Sequence, residues 1–88
     1  MRGTDLEKKV KEVTSNENWG APSSVLQDLA RATFDYQGYR EIVPLMWRRL
    51  GENNRNWRVI FKTLTLLEYL VRNGSDRVID EARDNIFA

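Results

Sequence analysis

Residues 57–74 read WRVIFKTLTLLEYLVRNG, and this stretch decides the fold of the chain. Asn56 is a suitable N-cap for a helix, and Gly74 suits the left-handed position just after its end. No proline interrupts the sequence between Trp57 and Arg72. The caps and the uninterrupted run together predict one helix over residues 57–73.

The apolar residues of this helix cover most of its circumference instead of one face. They are Trp57, Val59, Ile60, Phe61, Leu64, Leu66, Leu67, Tyr69, Leu70 and Val71. A narrow polar stripe remains, formed by Arg58, Lys62, Thr65 and Arg72. A helix of this composition is predicted to be the central helix of the domain, covered by neighbours on several sides, with its basic stripe facing water or a ligand.

Capping residues, apolar spacing and turn residues predict four further helices. They run from about Thr4 to Thr14, Ser24 to Phe34, Tyr39 to Leu50 and Asp76 to Asn85. Pro44 predicts either a kink in the third of the five helices or a later start of that helix. Short loops favour antiparallel neighbours, so residues 1–88 are predicted to form a single all-α domain, a right-handed superhelix (α-solenoid) of about five short helices.

Composition excludes several classes of function. The chain has 14 basic and 13 acidic residues, for a net charge of +1, and it has neither cysteine nor histidine. A disulfide framework and a thiolate nucleophile are therefore excluded, and the commonest general base and metal ligand are missing. Acidic pairs such as Asp76 with Asp80 are typical of a solvated helix face. We expect a binding module that is not an enzyme and has no cofactor.

Basic residues cluster around the start of the central helix. Five of them lie within fifteen positions: Arg48, Arg49, Arg55, Arg58 and Lys62. Cations beside a helix N-terminus favour a local anion site on this nearly neutral protein. The alternative is an ordinary solvated surface, in which Lys11 pairs with Glu7 and Arg48 pairs with Glu52.

Binding to nucleic acid is not expected. The overall charge supplies little long-range attraction for a polyanion. Trp47 and Trp57 are predicted to face the core, and Trp19, in the loop after the first helix, is predicted to cover it. These aromatic residues are therefore interpreted as packing residues and not as stacking platforms for bases.

Several segments resemble one known family. They are KVKEVTSNENWG at 9–20, WRRL at 47–50, NWR at 56–58, LEYL at 67–70 and NGSDRV at 73–78. In this order they resemble the epsin N-terminal homology (ENTH) domain, from about Asp5 to Phe87. The resemblance implies an α-superhelix that binds phosphoinositide headgroups and serves clathrin-adaptor proteins in endocytic and other vesicle transport. It also implies a cytoplasmic protein, peripheral on plasma, trans-Golgi or endosomal membranes.

The resemblance also implies which residues bind the headgroup, phosphatidylinositol 4-phosphate or 4,5-bisphosphate. The positions that match the family's ligand site are Lys11, Asn16, Arg49, Arg55 and Lys62. Helical spacing adds Arg58, which lies four residues before Lys62 on the polar stripe. Val59 departs from the pattern, because endocytic epsins often carry a histidine there.

The chain is shorter than the family pattern at both ends. Only Met1 to Gly3 precede the first capping box, whereas the family has a lead amphipathic helix there, and the family's last helices are also missing. We therefore expect an N- and C-terminally truncated ENTH domain with weak, salt-sensitive membrane binding. The apolar faces of Val78, Ile79, Ile86 and Phe87 predict self-association through the truncated end.

A protein-interaction function stays open beside the lipid-binding one. As some epsin-related members do, this solenoid would bind a vesicle SNARE or other cargo without significant lipid binding. An apolar groove beside polar residues on the second and third helices would favour this alternative. Clathrin and adaptors are expected to bind a tail outside residues 1–88.

Overall fold

The computed structural model describes residues 4–18, 20–52 and 56–87, without the side chains of Glu52, Ile86 and Phe87. This part of the chain forms five α-helices and no strand. They are α1 (Asp5–Val13), α2 (Ser23–Ala32), α3 (Tyr36–Glu52), α4 (Trp57–Asn73) and α5 (Asp76–Phe87). The expected all-α architecture of five helices is confirmed. None of the described helices has both the length and the apolar composition needed to cross a bilayer.

Local capping signals explain where most of the helices begin. Thr4 and Glu7 form the predicted capping box of α1, and the Asn56 side chain accepts from the Val59 N–H at 3.4 Å at the start of α4. Helix α3 begins three residues before the predicted Tyr39. The reason is that the Asp35 carboxylate accepts a hydrogen bond from the Gly38 N–H at 3.1 Å. Asp35 thus caps a helix whose first residue is Tyr36. Pro44 lies inside α3, so the predicted later start is wrong.

The core lies among the five helices, and α4 is in contact with each of the other four. The fully buried apolar side chains of the core come from all five helices. They are Val10, Val13, Leu29, Ile42, Val43, Met46, Leu66, Leu70 and Val78. Burial of these side chains is the main source of stability of so small a domain.

Helix α4 is not covered on all sides, contrary to expectation. Trp57 is 69% exposed, Phe61 63% and Leu64 47%, and these residues follow one another along one side of the helix. The covered side carries Val59, Thr63, Leu66 and Leu70, and it also carries Lys62. The prediction that Trp57 faces the core is therefore wrong. Lys62, on the stripe predicted to face water or a ligand, does not face water.

The chain turns from α4 into α5 at Gly74, where it touches the end of α2. Gly74 has φ −97° and ψ −163°, so the predicted left-handed conformation is wrong. A Cβ atom at this position would lie 2.7 Å from Thr33 Oγ1 and 2.8 Å from the Leu70 carbonyl oxygen. The Ser75 N–H donates to the same Thr33 Oγ1 at 2.9 Å. Close approach to α2, and not positive φ, explains the glycine.

Helix α5 is held by polar and apolar contacts. Ser75 caps it by accepting from the Arg77 N–H at 3.3 Å, and the Tyr39 hydroxyl donates to Glu81 Oε1 at 2.8 Å. Val78 is fully buried, so its predicted place on an uncovered face is wrong. Ile79 is 38% exposed, and the side chains of Ile86 and Phe87 lie outside the described residues.

Candidate anion-binding site

The site is built around the start of the connection between α1 and α2, residues 14–18, which we name the α1–α2 loop. Thr14 ends α1 and is fully buried, and its hydroxyl donates to the Val10 carbonyl oxygen at 2.7 Å. Residues 15–18 then run along the surface, with Ser15 partly exposed and Asn16 exposed. The oxygens of this loop face cations that come from α3 and α4.

Arg49, near the end of α3, binds the first residue of the loop through two donors. Its Nε donates to Thr14 Oγ1 and its Nη2 donates to the Thr14 carbonyl oxygen, each at 3.0 Å. A cation placed there also interacts favourably with the negative end of the α1 dipole. The planar guanidinium thus fixes the end of α1 against α3.

Arg58, in the first turn of α4, binds the middle of the loop. Its Nη1 donates to the Asn16 carbonyl oxygen at 3.2 Å and to Asn16 Oδ1 at 3.4 Å. The guanidinium carbon also lies 5.2 Å from the centroid of the Trp57 ring. Arg58 is therefore held between the loop and an aromatic face.

Lys62 lies one turn further along α4 and is almost completely buried, with 8% of the residue exposed. Its Nζ donates to Ser15 Oγ at 3.3 Å and to the Glu17 carbonyl oxygen at 3.2 Å. Burial lowers the pKa of Lys62, the neighbouring Arg58 lowers that pKa further, and Glu17 opposes the shift. An anion bound nearby would favour the protonated form of this ammonium group.

We name Arg49, Arg58 and Lys62 the cation cluster. The contacts described above all end on neutral oxygens, namely carbonyl, hydroxyl and amide oxygens of the α1–α2 loop. Such contacts orient the cations without cancelling their charge. The arrangement therefore supplies several oriented donors of positive charge at one place on the protein.

Lys11 borders the cation cluster on the α1 side. It is exposed in the last turn of α1, one helical turn before Ser15. Within the described residues no ion pair includes Lys11 or Arg58, and the Glu7 carboxylate instead accepts from the Thr4 N–H at 3.2 Å. The alternative in which Lys11 pairs with Glu7 is therefore not observed.

The structure brings together four of the six predicted site residues, Asn16, Arg49, Arg58 and Lys62, and it places Lys11 beside them. Arg55 lies outside the described residues, as do Trp19 and the side chain of Glu52. Sequence reasoning did not identify Thr14 and Ser15 as partners of the cations. Their position directly after a predicted helix end was the available signal, because orphan carbonyls and hydroxyls collect there.

An open groove of about 380 Å³ lies beside the cation cluster. It is lined by Glu17, Asn18, Gly20, Trp57, Arg58, Phe61 and Lys62. Arg58 and Lys62 thus contribute both to the loop contacts and to the wall of this groove. No group of acidic residues suited to a metal ion occurs in the described part of the chain.

Comparisons with known proteins identify relatives along the whole chain. A family model for the ENTH domain matches residues 3–88. Human Epsin-3 is 43% identical over 84 residues, which are 96% of this chain and 13% of that protein. Clathrin interactor EPSIN 2 of Arabidopsis thaliana is 48% identical over 82 residues, which are 93% of this chain and 9% of that protein. The chain thus spans only a small part of the length of these relatives.

Solved structures agree with this result. The human epsinR ENTH domain superimposes with a TM-score of 0.91 at 40% identity, covering 98% of this chain and 64% of that one. The ENTH domain from epsin-2 in complex with phosphatidylinositol 4,5-bisphosphate gives a TM-score of 0.91 at 32% identity. The superposition covers 99% of this chain and 62% of that chain. These likenesses support a module that is not an enzyme. The chain belongs to the ENTH domain family.

Proposed function

We propose that this chain is the phosphoinositide-binding module of an epsin-type membrane adaptor, with the headgroup bound by the cation cluster. The convergence of Arg49, Arg58 and Lys62 on one short loop supports the proposal most strongly. Lys11 and Asn16 complete the proposed site from the α1 side. Arg55 is included from the family match alone, since it lies outside the described residues.

The chemistry of the ligand fits the donors. An inositol phosphate carries several negative charges in a small volume, and guanidinium groups match phosphate oxygens in a bidentate manner. Arginine has five N–H donors, and both contacts of Arg58 with the loop come from Nη1, which leaves room for contacts with a phosphate. The solved complex of the epsin-2 ENTH domain contains this class of lipid.

The expected affinity is modest. Each basic residue near an anionic membrane surface contributes about 1 kcal/mol, and salt screens this attraction. Binding by this module is therefore expected to weaken clearly when the salt concentration rises. We propose that the natural protein is peripheral on plasma, trans-Golgi or endosomal membranes, and that clathrin and adaptors bind a region outside this chain.

Charge reversal of Lys11 and Lys62 tests the proposed function. Lys11→Glu combined with Lys62→Glu is expected to abolish co-sedimentation with vesicles that contain phosphatidylinositol 4,5-bisphosphate. The reason is that two attractive charges become repulsive at the same site. Lys8→Glu combined with Arg83→Glu makes the same change in net charge at exposed positions outside the site and serves as the control. Equal sedimentation of both double variants would reject the site.

A second proposed function is binding of a vesicle SNARE or other helical cargo. The expectation was an apolar groove on α2 and α3, whereas a groove of about 380 Å³ lies between α2 and α4 and is lined mostly by polar side chains. Phe34 on its wall is 68% exposed. Phe34→Ser is expected to abolish SNARE capture in a pull-down while vesicle binding stays unchanged. Capture that is insensitive to Phe34→Ser would remove this groove as the cargo site.

Self-association is the remaining proposal about partners. Ile79 is partly exposed on α5, and the sequence places Ile86 and Phe87 after it. Exposed apolar residues on a helix face are typical of a surface that a second molecule covers. A strict monomer in light scattering at high protein concentration would contradict this proposal.

A further inference from the structure

Ser15 presents a hydroxyl group to the middle of the cation cluster. Its Oγ accepts from Lys62 Nζ at 3.3 Å, and the carbonyl oxygens on either side of it, those of Thr14 and Asn16, accept from Arg49 and Arg58. Ser15 is partly exposed, whereas the neighbouring Thr14 is completely buried. Ser15 is therefore the loop hydroxyl that is both near the cations and reachable from solvent.

We propose that Ser15 is a phosphorylation site and that its phosphate is bound by the cation cluster in place of a lipid headgroup. The replacement of a lipid headgroup rests on the proposed function, whereas the binding of the Ser15 phosphate by the cation cluster does not. Phosphate linked to Ser15 and phosphate on an inositol ring offer the same oxygen acceptors to the same cations. The modification would thus act as an internal competitor.

The modification itself is an ordinary phosphoryl transfer from ATP, catalysed by a protein kinase. Ser15 Oγ attacks the γ-phosphorus, a new O–P bond forms, and the bond between the γ-phosphorus and the bridging oxygen breaks. ADP leaves, and the hydroxyl proton passes to a base of the kinase. The exposed residues Asn16, Glu17 and Asn18 continue the loop outside any helix, so a kinase can bind the segment without unfolding one.

The charges around Ser15 favour the bound phosphate, although two features oppose it. The end of the α1 dipole is negative at this position, and the carboxylate of Glu17 lies two residues away. The cation cluster provides three positive groups at the same place, and Lys11 borders it. Lys62 is buried next to Arg58, so a phosphate close to its contacts with Ser15 Oγ and the Glu17 carbonyl oxygen supplies further counter-charge to this ammonium.

Covalent attachment makes this competitor effective. A phosphate on Ser15 is always present at the cluster, whereas a headgroup must arrive from the membrane, and the linked group therefore acts at a high effective concentration. Phosphorylation is expected to weaken headgroup binding about tenfold or more, because each lost charge-assisted contact corresponds to at least that factor.

The test uses phosphoserine incorporated at position 15 during translation. The phosphate pKa, followed by ³¹P NMR, is expected to lie about one unit lower in the folded chain than in the same chain in urea, because nearby cations favour the dianion. Lys62→Met in the phosphorylated chain is expected to reverse part of this shift. Equal phosphate pKa values in the folded and the unfolded chain, or a phosphorylated chain that no longer folds, would overturn the proposal that the cation cluster binds this phosphate.

Competition is measured separately with inositol 1,4,5-trisphosphate by calorimetry. The control is Asp84→phosphoserine, which adds a phosphate at an exposed position of α5. We expect weaker binding only for phosphoserine at position 15, and equal affinities of the two phosphorylated chains would overturn the competition. If the unmodified chain fails to bind the trisphosphate, the proposed function fails, whereas a lowered phosphate pKa still supports capture.

Phosphorylation in cells is measured by mass spectrometry. The natural protein is purified from eukaryotic cells treated with phosphatase inhibitors, and the peptide that contains Ser15 is analysed. Phosphate on Ser15 supports the assignment. A peptide that is detected only in its unmodified form would overturn it.

Discussion

Gly38→Ala is expected to destabilise the domain by about 2–3 kcal/mol, the upper part of the range for overpacking. A Cβ at this position in the first turn of α3 would collide with the carbonyl oxygen of Ala32 and lie 3.1 Å from its carbonyl carbon. Both atoms belong to the backbone at the end of α2, which cannot move away as a flexible side chain would. A change of this size is a large part of the stability of a small domain.

Urea unfolding measures this effect, and a second glycine of the same helix provides the control. Among the described residues, a Cβ placed on Gly51 meets no atom within 4 Å apart from its chain neighbours and its own helix backbone. Gly51→Ala is therefore expected to stabilise the chain by about 0.5–1 kcal/mol through the higher helix propensity of alanine. The two substitutions should therefore shift the urea concentration at the midpoint of unfolding in opposite directions. A Gly38→Ala chain as stable as the parent would show that α2 and α3 do not approach as described.

Arg49→Met is expected to weaken binding of inositol 1,4,5-trisphosphate by about 10- to 100-fold, as expected for loss of a charge-assisted contact. The substitution removes a proposed phosphate donor and also the two donors that hold Thr14. The α1–α2 loop then loses these two contacts with α3, whereas Asn16 keeps its contacts with Arg58. Methionine keeps an apolar stem of similar length, which limits the change in packing.

Arg48→Met is the matched control, because it removes the same charge from the neighbouring, exposed position. It is expected to weaken binding only about fivefold, since one surface charge contributes about 1 kcal/mol. Calorimetry on both variants at one salt concentration separates the role of geometry from that of charge. Equal losses for the two arginines would mean that general electrostatic attraction, and not the cation cluster, binds the ligand.

The helices themselves could be predicted because their signals are local. Asn56 caps α4 through a contact within one turn, and Thr4 with Glu7 caps α1 in the same way. The predicted start of α3 was wrong, because the Asp35 carboxylate caps a helix that begins three residues before Tyr39. A single side chain at a helix end is enough to move the boundary by a turn.

The orientation of α4 could not be predicted, because apolar residues on nearly every side of a helix do not indicate where its neighbours lie. Trp57 and Phe61 are consequently exposed, while Lys62 is buried. Gly74 shows a similar limit, since its close approach to Thr33 depends on how two distant helices meet. Which side of a helix is exposed and where two helices approach each other depend on how the helices pack.

The candidate site was predicted in part, and the reason lies in the type of contact. The sequence shows which cations are near in the chain, and the resemblance selected Arg49 over Arg48. Half of the acceptors on the α1–α2 loop are backbone oxygens, which carry no sequence signal. They also lie 35–47 residues from the cations that bind them, so no local pattern connects the two.

These long separations have a consequence for a chain that is still being synthesised on the ribosome. The α1–α2 loop leaves the exit tunnel well before the residues that hold it, and an emerging segment that stops ahead of Arg58 contains Lys11, Asn16 and Arg49 but neither of the α4 cations. The proposed cation cluster is therefore complete only after the first turns of α4 have emerged and docked.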